Sequence, residues 1–433
     1  MQLNHCHGDA WELNRALVGK LEEQGGIHTQ LVEEAFRTVL RHTFLPGEPL
    51  TEVYDNRSIA IKVKDGETLS SSSQPGIMAT MLEQLALEPG HKVLEIGTGS
   101  GYNAALIAHI VGERGQVITV DIDQDLVDAA REHLAAAGAH RVQIVCADGG
   151  YGYARAAPYD RIILTVGAWD IAPAWWEQLK PGGRLVMPLS LPGGQKSIAF
   201  ELEGEHLSSR SVKDCGFVRL RGAYAEPHPS RRIQLGPHPG LEVSCGADVA
   251  LDADQTYDWL TGTHVDWETG VVVAVCDVIG GLGLWLALHE PNMVQLAAGD
   301  EAMEHDIVPP LYGLGQTRKV AFGWASIGEE GLAALMRPPG QSAPLLNYCD
   351  LFVPGPSFPL YVRQFGSDES LARRLVDHVR AWDAAGRPST DGLCVRAYRQ
   401  EAEPVPLEEG DIVIEKRWTR LVLDWPNDAQ LNP

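Results

Sequence analysis

The segment from Lys92 to Leu189 constrains the fold more than any other part of the chain. Short apolar runs such as VLEI, VITVD and RIILTV alternate there with helical stretches such as NAALIAHIVG and LVDAAREHLAAAG. Strands that are apolar along their whole length are typical of parallel sheets with helices on both faces. We therefore predict an α/β, Rossmann-like, doubly wound sheet with N-terminal helices, followed by a C-terminal α+β domain.

Two amphipathic patterns, AWELNRALVGKLEEQG and TQLVEEAFRTVLRHTF, predict the N-terminal helices. Four prolines in EPHPSRRIQLGPHP mark a boundary further along the chain. We predict a ligand-binding domain over residues 1–225, a Pro-rich linker over 226–240 and a C-terminal α+β domain over 241–433. Within the last of these, EEGLAALM predicts a helix, and GLCVRAYRQ and DIVIEKRWTRLVLDW predict a terminal strand pair.

A glycine loop follows the first predicted strand of the alternating segment. In VLEIGTGSGYNAALIA, the three glycines let the backbone turn sharply and approach a ligand, and the helix that follows presents free N–H groups. NAD-binding and flavin-binding proteins use a closely related loop, and a tight turn without any ligand can have the same pattern. The loop alone therefore leaves the ligand open.

Carboxylates lie at or near the ends of three successive predicted strands. Glu95 stands two residues before the first glycine, where it can organise the turn and polar groups of a ligand. Asp121 is at the end of the next strand, where a carboxylate typically accepts hydrogen bonds from the two hydroxyls of a ribose. Asp148 is at the end of the third strand, where it can contact the edge of an adenine. Each alone could be a solvated turn residue or a helix cap, but together they favour a nucleoside ligand.

The turn in LKPGGRLVMPL favours a methyl donor over a nicotinamide, because it is common in class I methyltransferases that use S-adenosylmethionine. With SQPGIMATMLEQLALEPGHKVLEIGTGSGYNAALIAHIVG and ADGGYGYARAAPYDRIILTVGA, the stretch from Asn56 to Leu220 resembles the protein-L-isoaspartate O-methyltransferase family. The resemblance implies an S-adenosyl-L-methionine-dependent protein or peptide carboxyl O-methyltransferase whose second product is S-adenosyl-L-homocysteine.

The same resemblance implies which residues form the site. Ser73 would be the catalytic residue, hydrogen-bonding the substrate carboxylate near the sulfonium, with substrate-binding neighbours at Ser71, Ser72, Gln74 and Val166. The methyl-donor site would comprise Glu95, Gly97, Thr98, Gly99, Ser100, Gly101, Asn103, Asp121, Ile122, Asp148, Gly149 and Thr165. Serine runs are usually flexible linkers. The place of this one before Gln74-Pro75 and the glycine loop favours a pocket wall.

The chain departs from the repair members of that family in two ways. Gly76 stands where they usually carry an aromatic residue or histidine, and TVGAWDIAPAWW replaces an Ala-Ala-Pro-like run. The long C-terminal extension, entered through CGFVRLRGAYAEPHP, resembles a branch that methylates an aspartate in cyclised ribosomal peptides such as lanthipeptides, lasso peptides and graspetides, leading to aspartimide and isoaspartate. General isoaspartate repair and a non-catalytic, donor-binding adaptor remain the alternatives.

Composition excludes several other functions. A formal net charge of −23 argues against a nucleic-acid surface, which needs concentrated Lys and Arg. Asp277 and three glycines interrupt the stretch VVVAVCDVIGGLGLWLAL, so we expect a buried strand and a turn there and no membrane span. The 7 cysteines form no C-x-x-C pair, and the N-terminus lacks a secretory pattern. We expect a cytoplasmic enzyme with a peptide partner and no metal.

Overall fold

The computed structural model describes residues 3–305, 307–309, 311–314, 320–346, 354–403 and 407–426. The chain forms two compact units. Unit 1 comprises residues 1–226 together with 393–433, and unit 2 comprises residues 227–392. Each unit has its own sheet, so each is described by itself.

The first part of unit 1 alternates helices and strands in the predicted manner. Its elements are α1 (Leu3–Glu23), α2 (Gln30–Thr38), α3 (Leu50–Val53), β1 (Ile59–Lys64), β2 (Glu67–Ser72), α4 (Pro75–Leu85), β3 (Lys92–Ile96), α5 (Tyr102–Val111), β4 (Gln116–Asp121), α6 (Gln124–Ala136), β5 (Gln143–Cys146), β6 (Tyr159–Leu164), α7 (Pro173–Glu177), β7 (Leu179–Leu191), β8 (Gly194–Glu203) and β9 (His206–Cys215). Short 3-10 turns lie at Arg41–Phe44, Gly149–Tyr151 and Ala154–Ala156. Both predicted N-terminal helices are present, but the second ends at Thr38, and Arg41–Phe44 forms a separate 3-10 turn.

Unit 2 follows, and the chain then returns to unit 1. The elements of unit 2 are β10 (Arg231–Gln234), β11 (Glu242–Cys245), α8 (Ala253–Thr261), β12 (His264–Val273), α9 (Val275–Asp277), a π-helical turn (Val278–Leu282), α10 (Gly283–His289), β13 (Met293–Ala298), α11 (Asp300–Glu304), β14 (Tyr312–Leu314), β15 (Val320–Ile327), β16 (Gly331–Met336), β17 (Leu345–Leu346), β18 (Phe358–Gly366) and α12 (Glu369–Ala384). The returning segment forms β19 (Cys394–Arg399), β20 (Ile412–Glu415) and β21 (Thr419–Asp424).

The sheet of unit 1 has ten strands in the order β20-β21-β19-β9-β8-β7-β6-β3-β4-β5. The strands β7, β6, β3, β4 and β5 pair in parallel, as predicted, whereas the rest of the sheet is antiparallel. Strand order reverses between β3 and β6, because β3 pairs with both β4 and β6. In open α/β sheets, ligands bind at such a reversal, beyond the carboxyl ends of the strands.

A continuous apolar core joins the N-terminal helices to the sheet. Leu17 and Phe36 from α1 and α2, Leu82 from α4 and Ile107 from α5 all lie in one buried cluster with Val93 of β3. Helix α4 starts with Pro75 in its first turn, where the missing N–H costs no hydrogen bond. Because this helix follows the serine run directly, packing of α4 on the sheet fixes where that run ends.

The C-terminal boundary differs from the predicted one. Residues 393–433 belong to unit 1, because β19 pairs antiparallel with β9 and β21 pairs with β19. The predicted linker over residues 226–240 contains β10, which pairs with β11 in the sheet of unit 2. Sequence composition could not show this division, because a strand's apolar pattern does not identify the sheet that it joins. The segment DIVIEKRWTRLVLDW forms two strands of a hairpin instead of one.

Unit 2 contains a nine-stranded sheet with the path β10-β11-β13-β15-β16-β18-β12, to which β14 and β17 add at one side. Helix α12 packs its apolar face, including Leu375, Val379 and Trp382, into the core of this unit. The predicted helix at EEGLAALM is wrong. Its last six residues form β16, which is buried along its whole length and pairs with β15 and β18. Two neighbouring strands thus override the helical propensity of Ala, Leu and Met.

The apolar stretch that tempts a membrane interpretation also differs from expectation. Strand β12 ends at Val273, and a helical segment rather than a turn runs from Val275 to His289. Val278, Leu282 and Leu286 of that segment are buried in the core of unit 2. Among the residues that the structure describes, no helix has the length and apolarity that a bilayer span requires.

Candidate active site at the carboxyl edge of the parallel strands

The glycine loop lies at the carboxyl end of β3 and leads into α5. Gly97, Gly99 and Gly101 all have positive φ, at 101°, 52° and 87°. A Cβ atom on Gly97 would lie 2.5 Å from Oγ1 of Thr165, whose hydroxyl donates a hydrogen bond of 2.6 Å to the Gly97 carbonyl. Glycine is therefore required at position 97 both for its conformation and for the close approach of Thr165.

Glu95 organises the loop from inside the protein. Its side chain is fully buried, and its two oxygens accept hydrogen bonds from Nδ2 of Asn103 at 2.8 Å and Oγ1 of Thr119 at 2.5 Å. The hydroxyl of Thr98 lies 2.8 Å from that of Thr119 and continues the network. These residues connect β3, the glycine loop, β4 and α5. Glu95 thus holds the turn in shape and has no surface with which to contact a ligand.

We expect Glu95→Gln to change how stability depends on pH. Burial raises the pKa of Glu95 from 4.5 to about 7, partly opposed by the donors Thr119 and Asn103. Between these values the folded protein binds more protons than the unfolded chain, so the free energy of unfolding falls as pH rises, by about 3 kcal/mol in all. The glutamine variant removes this contribution, and urea unfolding followed by circular dichroism from pH 4 to pH 8 measures it.

The control for this prediction is Glu132→Gln, which changes an exposed carboxylate on α6. The difference in unfolding free energy between wild type and Glu95→Gln should shift steadily across the window from pH 4.5 to pH 7. A difference that stays constant with pH would show that Glu95 does not bind a proton in this range.

Asp121 closes β4 and faces the glycine loop. Its carboxylate accepts hydrogen bonds from the backbone N–H of Gly99 at 3.0 Å and of Asp123 at 3.1 Å. Burial raises the pKa of Asp121, and those two N–H donors oppose the rise. A carboxylate has about four acceptor positions, so two remain for a ligand in the cleft that Asp121 lines.

Asp148 and Gly149 follow β5, as predicted, but have different positions. Gly149 lines the cleft, whereas the Asp148 carboxylate accepts hydrogen bonds from the backbone N–H of Gly150 at 2.9 Å and of Ala223 at 2.7 Å. Gly222 lies so close that a Cβ atom there would be 2.3 Å from the Asp148 carboxylate. Asp148 therefore anchors the segment after β9 at this edge of the sheet.

The serine run forms the second strand of a hairpin and then enters α4. Strand β2 pairs antiparallel with β1, and the Ser71 carbonyl lies 3.6 Å from the Cβ position of Gly99. Ser72, the last residue of β2, is buried, and its neighbours Ser71 and Ser73 are partly exposed. In the part of the chain that the structure describes, the Ser73 hydroxyl makes no hydrogen bond. The run is a wall beside the glycine loop rather than a linker.

A buried arginine fixes that wall. The guanidinium of Arg41 is fully buried and donates hydrogen bonds to five backbone carbonyl oxygens, two of which belong to Ser72 and Ser73, at 3.3 and 3.0 Å. The other three belong to Val53, Asp55 and Arg57. Burial lowers the pKa of Arg41 to about 10, so it remains charged at neutral pH.

The glycine loop, the serine strand and the ends of the parallel strands border one open cleft. The predicted residues that line it are Ser71, Gly97, Gly99, Asp121, Ile122, Gly149, Thr165 and Val166. The predicted residues outside its lining are Ser72, Ser73, Gln74, Glu95, Thr98, Ser100, Gly101, Asn103 and Asp148. Of these, Ser73 follows the last residue of β2 and is partly exposed, and the Ser100 hydroxyl accepts a hydrogen bond from the Tyr102 N–H at 3.4 Å.

Sequence reasoning missed one wall of the cleft. It is formed by Val218, Arg219, Leu220 and Arg221 of the segment after β9; Leu69 and Ser70 of β2 also line the cleft. The only signal was the string FVRLR at the entrance to the extension, which carries no glycine or carboxylate pattern. Its position is set by backbone pairing: the Gly167 N–H donates to the Val218 carbonyl, and the Leu220 N–H donates to the Gly167 carbonyl, both at 2.8 Å.

Ion pairs join three of the segments around the cleft. Asp123 accepts from Lys62 of β1 at 3.1 Å and from Arg221 at 2.5 Å, and Lys62 also contacts Asp125 at 2.7 Å. Arg221 and Lys62 hold the pKa of Asp123 below its usual value. The hairpin that carries the serines is thus connected to the segment after β9 through Asp123.

Comparison with known proteins decides the family. Residues 12–224 match the family model "Protein-L-isoaspartate(D-aspartate) O-methyltransferase (PCMT)". A protein-L-isoaspartate O-methyltransferase of Methanopyrus kandleri is 40% identical over 215 residues, which cover 49% of this chain and 93% of that protein. The chain belongs to the protein-L-isoaspartate O-methyltransferase family. The protein of that name from Thermotoga maritima is 39% identical over 170 residues, which cover 39% of this chain and only 53% of its own length.

Solved structures include a protein-L-isoaspartate O-methyltransferase at 22% identity and a TM-score of 0.47, covering 88% of this chain and 96% of that one. A second, described as a putative protein-L-isoaspartate O-methyltransferase from Plasmodium falciparum in complex with S-adenosyl-L-homocysteine, has 19% identity and a TM-score of 0.43. It covers 48% of this chain and 98% of its own.

Membership in the protein-L-isoaspartate O-methyltransferase family makes this chain an S-adenosylmethionine-dependent carboxyl O-methyltransferase. The cleft fits that cofactor, because the buried Asp121 retains acceptor capacity for ribose hydroxyls and the open glycine loop offers the N-terminus of α5. The family match ends at residue 224, so unit 2 and the strands β19–β21 lie outside it. In the described ranges, no group of three or more His, Cys, Asp or Glu residues is placed to hold a metal ion.

Proposed function

We propose that this enzyme methylates the side-chain carboxylate of an aspartate in a cyclised, ribosomally made peptide. The observation that supports carboxylate methylation is the serine wall beside the glycine loop, where Ser71 lines the cleft and the partly exposed Ser73 follows the end of β2 directly. The departures from the repair members, including Gly76 and the long C-terminal extension, support a peptide-specific substrate. The proposal includes a cytoplasmic location, where precursor peptides are made.

When bound, the cofactor supplies a sulfonium methyl group that transfers to a carboxylate oxygen, giving a methyl ester and a neutral thioether. An aspartate at neutral pH is already an anion, so the transfer needs no general base. The task of the protein is to hold that oxygen in line at near-attack distance and to exclude water. Serine hydroxyls suit this task because a strong cationic clamp would weaken the nucleophile.

The proposed product is an activated ester. The backbone nitrogen of the next residue attacks the ester carbonyl, loses its proton and expels methanol, giving an aspartimide. Addition of water to the imide then yields isoaspartate or aspartate. A cyclised peptide that holds the nitrogen near the ester carbonyl favours this ring closure by proximity.

We expect Ser73→Ala to lower kcat for methyl transfer about tenfold or more, because a hydrogen bond to the charged substrate carboxylate is worth about 1.5 to 3 kcal/mol. The affinity for S-adenosylhomocysteine should stay unchanged, since Ser73 is outside the lining of the cleft. Transfer of a labelled methyl group measures kcat, and calorimetry measures the affinity. Ser58→Ala is the control, an exposed serine before β1. A marked loss of S-adenosylhomocysteine binding would show that Ser73 belongs to the donor site.

General isoaspartate repair is the second candidate, because the relatives at 38 to 40% identity bear that name. A labelled-methyl assay separates the two. Equal turnover of many linear isoaspartyl peptides, with no methylation of aspartate in a cyclised peptide, would favour repair over our proposal. Binding of S-adenosylhomocysteine without methylation of any peptide would indicate the third possibility, a donor-binding adaptor.

A further inference from the structure

Four aromatic rings form a connected chain on the surface of unit 1. The ring centroids of Trp169 and Trp418 are 5.3 Å apart, those of Trp418 and Tyr224 are 4.8 Å apart, and those of Tyr224 and Tyr151 are 5.4 Å apart. We call these four residues the aromatic wall. Tyr151 is 58% exposed, and the other three rings are partly exposed. The rings come from four separate segments, so their meeting is a product of the tertiary fold.

The aromatic wall is held by the turn between β20 and β21. The buried carboxylate of Asp170 accepts hydrogen bonds from the backbone N–H of Trp418 at 2.7 Å and from the Thr419 hydroxyl at 2.5 Å. Nζ of Lys416 donates to the Ser190 carbonyl at 2.8 Å. These bonds involve the backbone of Trp418 or its neighbours, so the turn stays anchored whatever side chain stands at position 418. The aromatic ring of Trp418 is therefore presented on a fixed support.

The aromatic wall lies near residues that line the cleft at two of its rings, Trp169 and Tyr224. Trp169 follows Val166, a lining residue, by three positions on the loop after β6. Tyr224 packs against Gly150, where a Cβ atom would lie 2.5 Å from the Tyr224 ring, and the neighbouring Gly149 lines the cleft. A peptide whose carboxylate enters the cleft would thus place its flanking residues over these rings.

One arginine, Arg417, lies beside a ring of the aromatic wall, and another, Arg219, lines the cleft. The exposed Arg417 has its guanidinium carbon 5.1 Å from the centre of the Trp418 ring. Arg219 lines the cleft with a side chain that is 48% exposed and lies 3.9 Å from Glu226. In a chain of net charge −23, which repels acidic peptides in general, Arg417 offers a local attraction for a carboxylate, whereas Arg219 is paired with Glu226.

We propose that the aromatic wall binds the residues that flank the methylated aspartate of the peptide substrate, with a preference for an aromatic residue next to an acidic one. This inference rests on the proposed function, because it takes the substrate to be a peptide in the cleft. Partly exposed, rigid rings supply large contact area at low entropic cost, and Arg417 pairs with the acidic residue. Trp418 and Arg417 lie outside the family match, so this part of the surface is a feature of the extension.

The test measures peptide binding separately from methyl transfer. The probe is a side-chain-cyclised nonapeptide with one free aspartate flanked by Trp and Glu, and its matched form carries Ala and Lys at those two positions. Calorimetry with protein saturated with S-adenosylhomocysteine gives the dissociation constants. We expect wild type to bind the Trp-Glu peptide at least tenfold more tightly than the Ala-Lys peptide, and Trp418→Ala to remove most of that difference.

Three variants make the result specific. Trp418→Phe should keep most of the preference for the Trp-Glu peptide because it retains an aromatic ring. Arg417→Ala should reduce only the part of the preference that comes from Glu over Lys. Trp11→Ala, a change at a 52% exposed tryptophan on α1, should leave both peptide affinities unchanged. The affinity for S-adenosylhomocysteine should be the same in all variants, which shows that each is folded.

Equal binding of the two peptides by wild type, or an unchanged preference in a folded Trp418→Ala variant, would overturn the inference. Methyl transfer to the same peptides reports on the proposed function instead. Tight, Trp418-dependent binding without any methylation would support the aromatic wall and count against the proposed function. Methylation of both peptides, with equal binding affinities, would support the proposed function and count against the aromatic wall.

Discussion

Replacing Arg41 with methionine is expected to lower the free energy of unfolding by about 2 kcal/mol and to reduce kcat of the folded enzyme beyond the effect of Ser73→Ala. Five carbonyl oxygens lose their donor: those of Val53 and Ser72 take part in buried hydrogen bonds and cost about 1 to 3 kcal/mol each, whereas those of Asp55, Arg57 and Ser73 are partly buried and cost less. Removing a desolvated charge offsets about 3 kcal/mol of this, given the drop in pKa to about 10. Urea unfolding and labelled-methyl kinetics measure the two effects.

The activity effect follows from the two bonds to Ser72 and Ser73, which fix the end of the serine wall. Arg41→Lys keeps the charge but has a single nitrogen donor in place of the planar guanidinium. Its free energy of unfolding and its kcat should therefore lie between those of wild type and Arg41→Met. Arg155→Met, at an exposed arginine, should change neither stability nor kcat. The affinity for S-adenosylhomocysteine should hold in the folded fraction. Full kcat in Arg41→Met would show that the serine wall keeps its position without this support.

Asp121→Ala is expected to raise the dissociation constant for S-adenosylhomocysteine about 100-fold or more. The buried carboxylate has acceptor capacity for two ribose hydroxyls, and hydrogen bonds to a charged acceptor are worth about 1.5 to 3 kcal/mol each. The alanine also frees the Gly99 N–H, which loosens the glycine loop. Isothermal titration calorimetry measures the constant.

Two variants control this prediction. Asp121→Asn keeps an acceptor for the Gly99 N–H but loses the charge, so its loss of affinity should be smaller. Asp128→Ala removes an exposed carboxylate from α6 and should leave the affinity unchanged. Unchanged binding of S-adenosylhomocysteine by a folded Asp121→Ala protein would mean that the donor does not occupy this end of the cleft.

The glycine loop and the strand-end carboxylates could be located from the sequence because local chemistry determines them. Only glycine tolerates the positive φ at Gly97, and β-branched runs bounded by turns give the parallel strands. The role of Glu95 was less accessible. Its position was predicted, but only its burial with Asn103 and Thr119 shows that it supports the loop from inside.

By itself, the sequence determined the Rossmann-like half of unit 1, the glycine loop and the association of a serine run with that loop. Only the tertiary structure decided that β19–β21 return to the sheet of unit 1, that EEGLAALM is a strand, that Arg41 supports the serine wall and that Val218 to Arg221 close the cleft. The physical reason is sequence separation. Turns, caps and periodicity act over a few residues, whereas strand pairing and burial join segments far apart in the chain and leave no local signal.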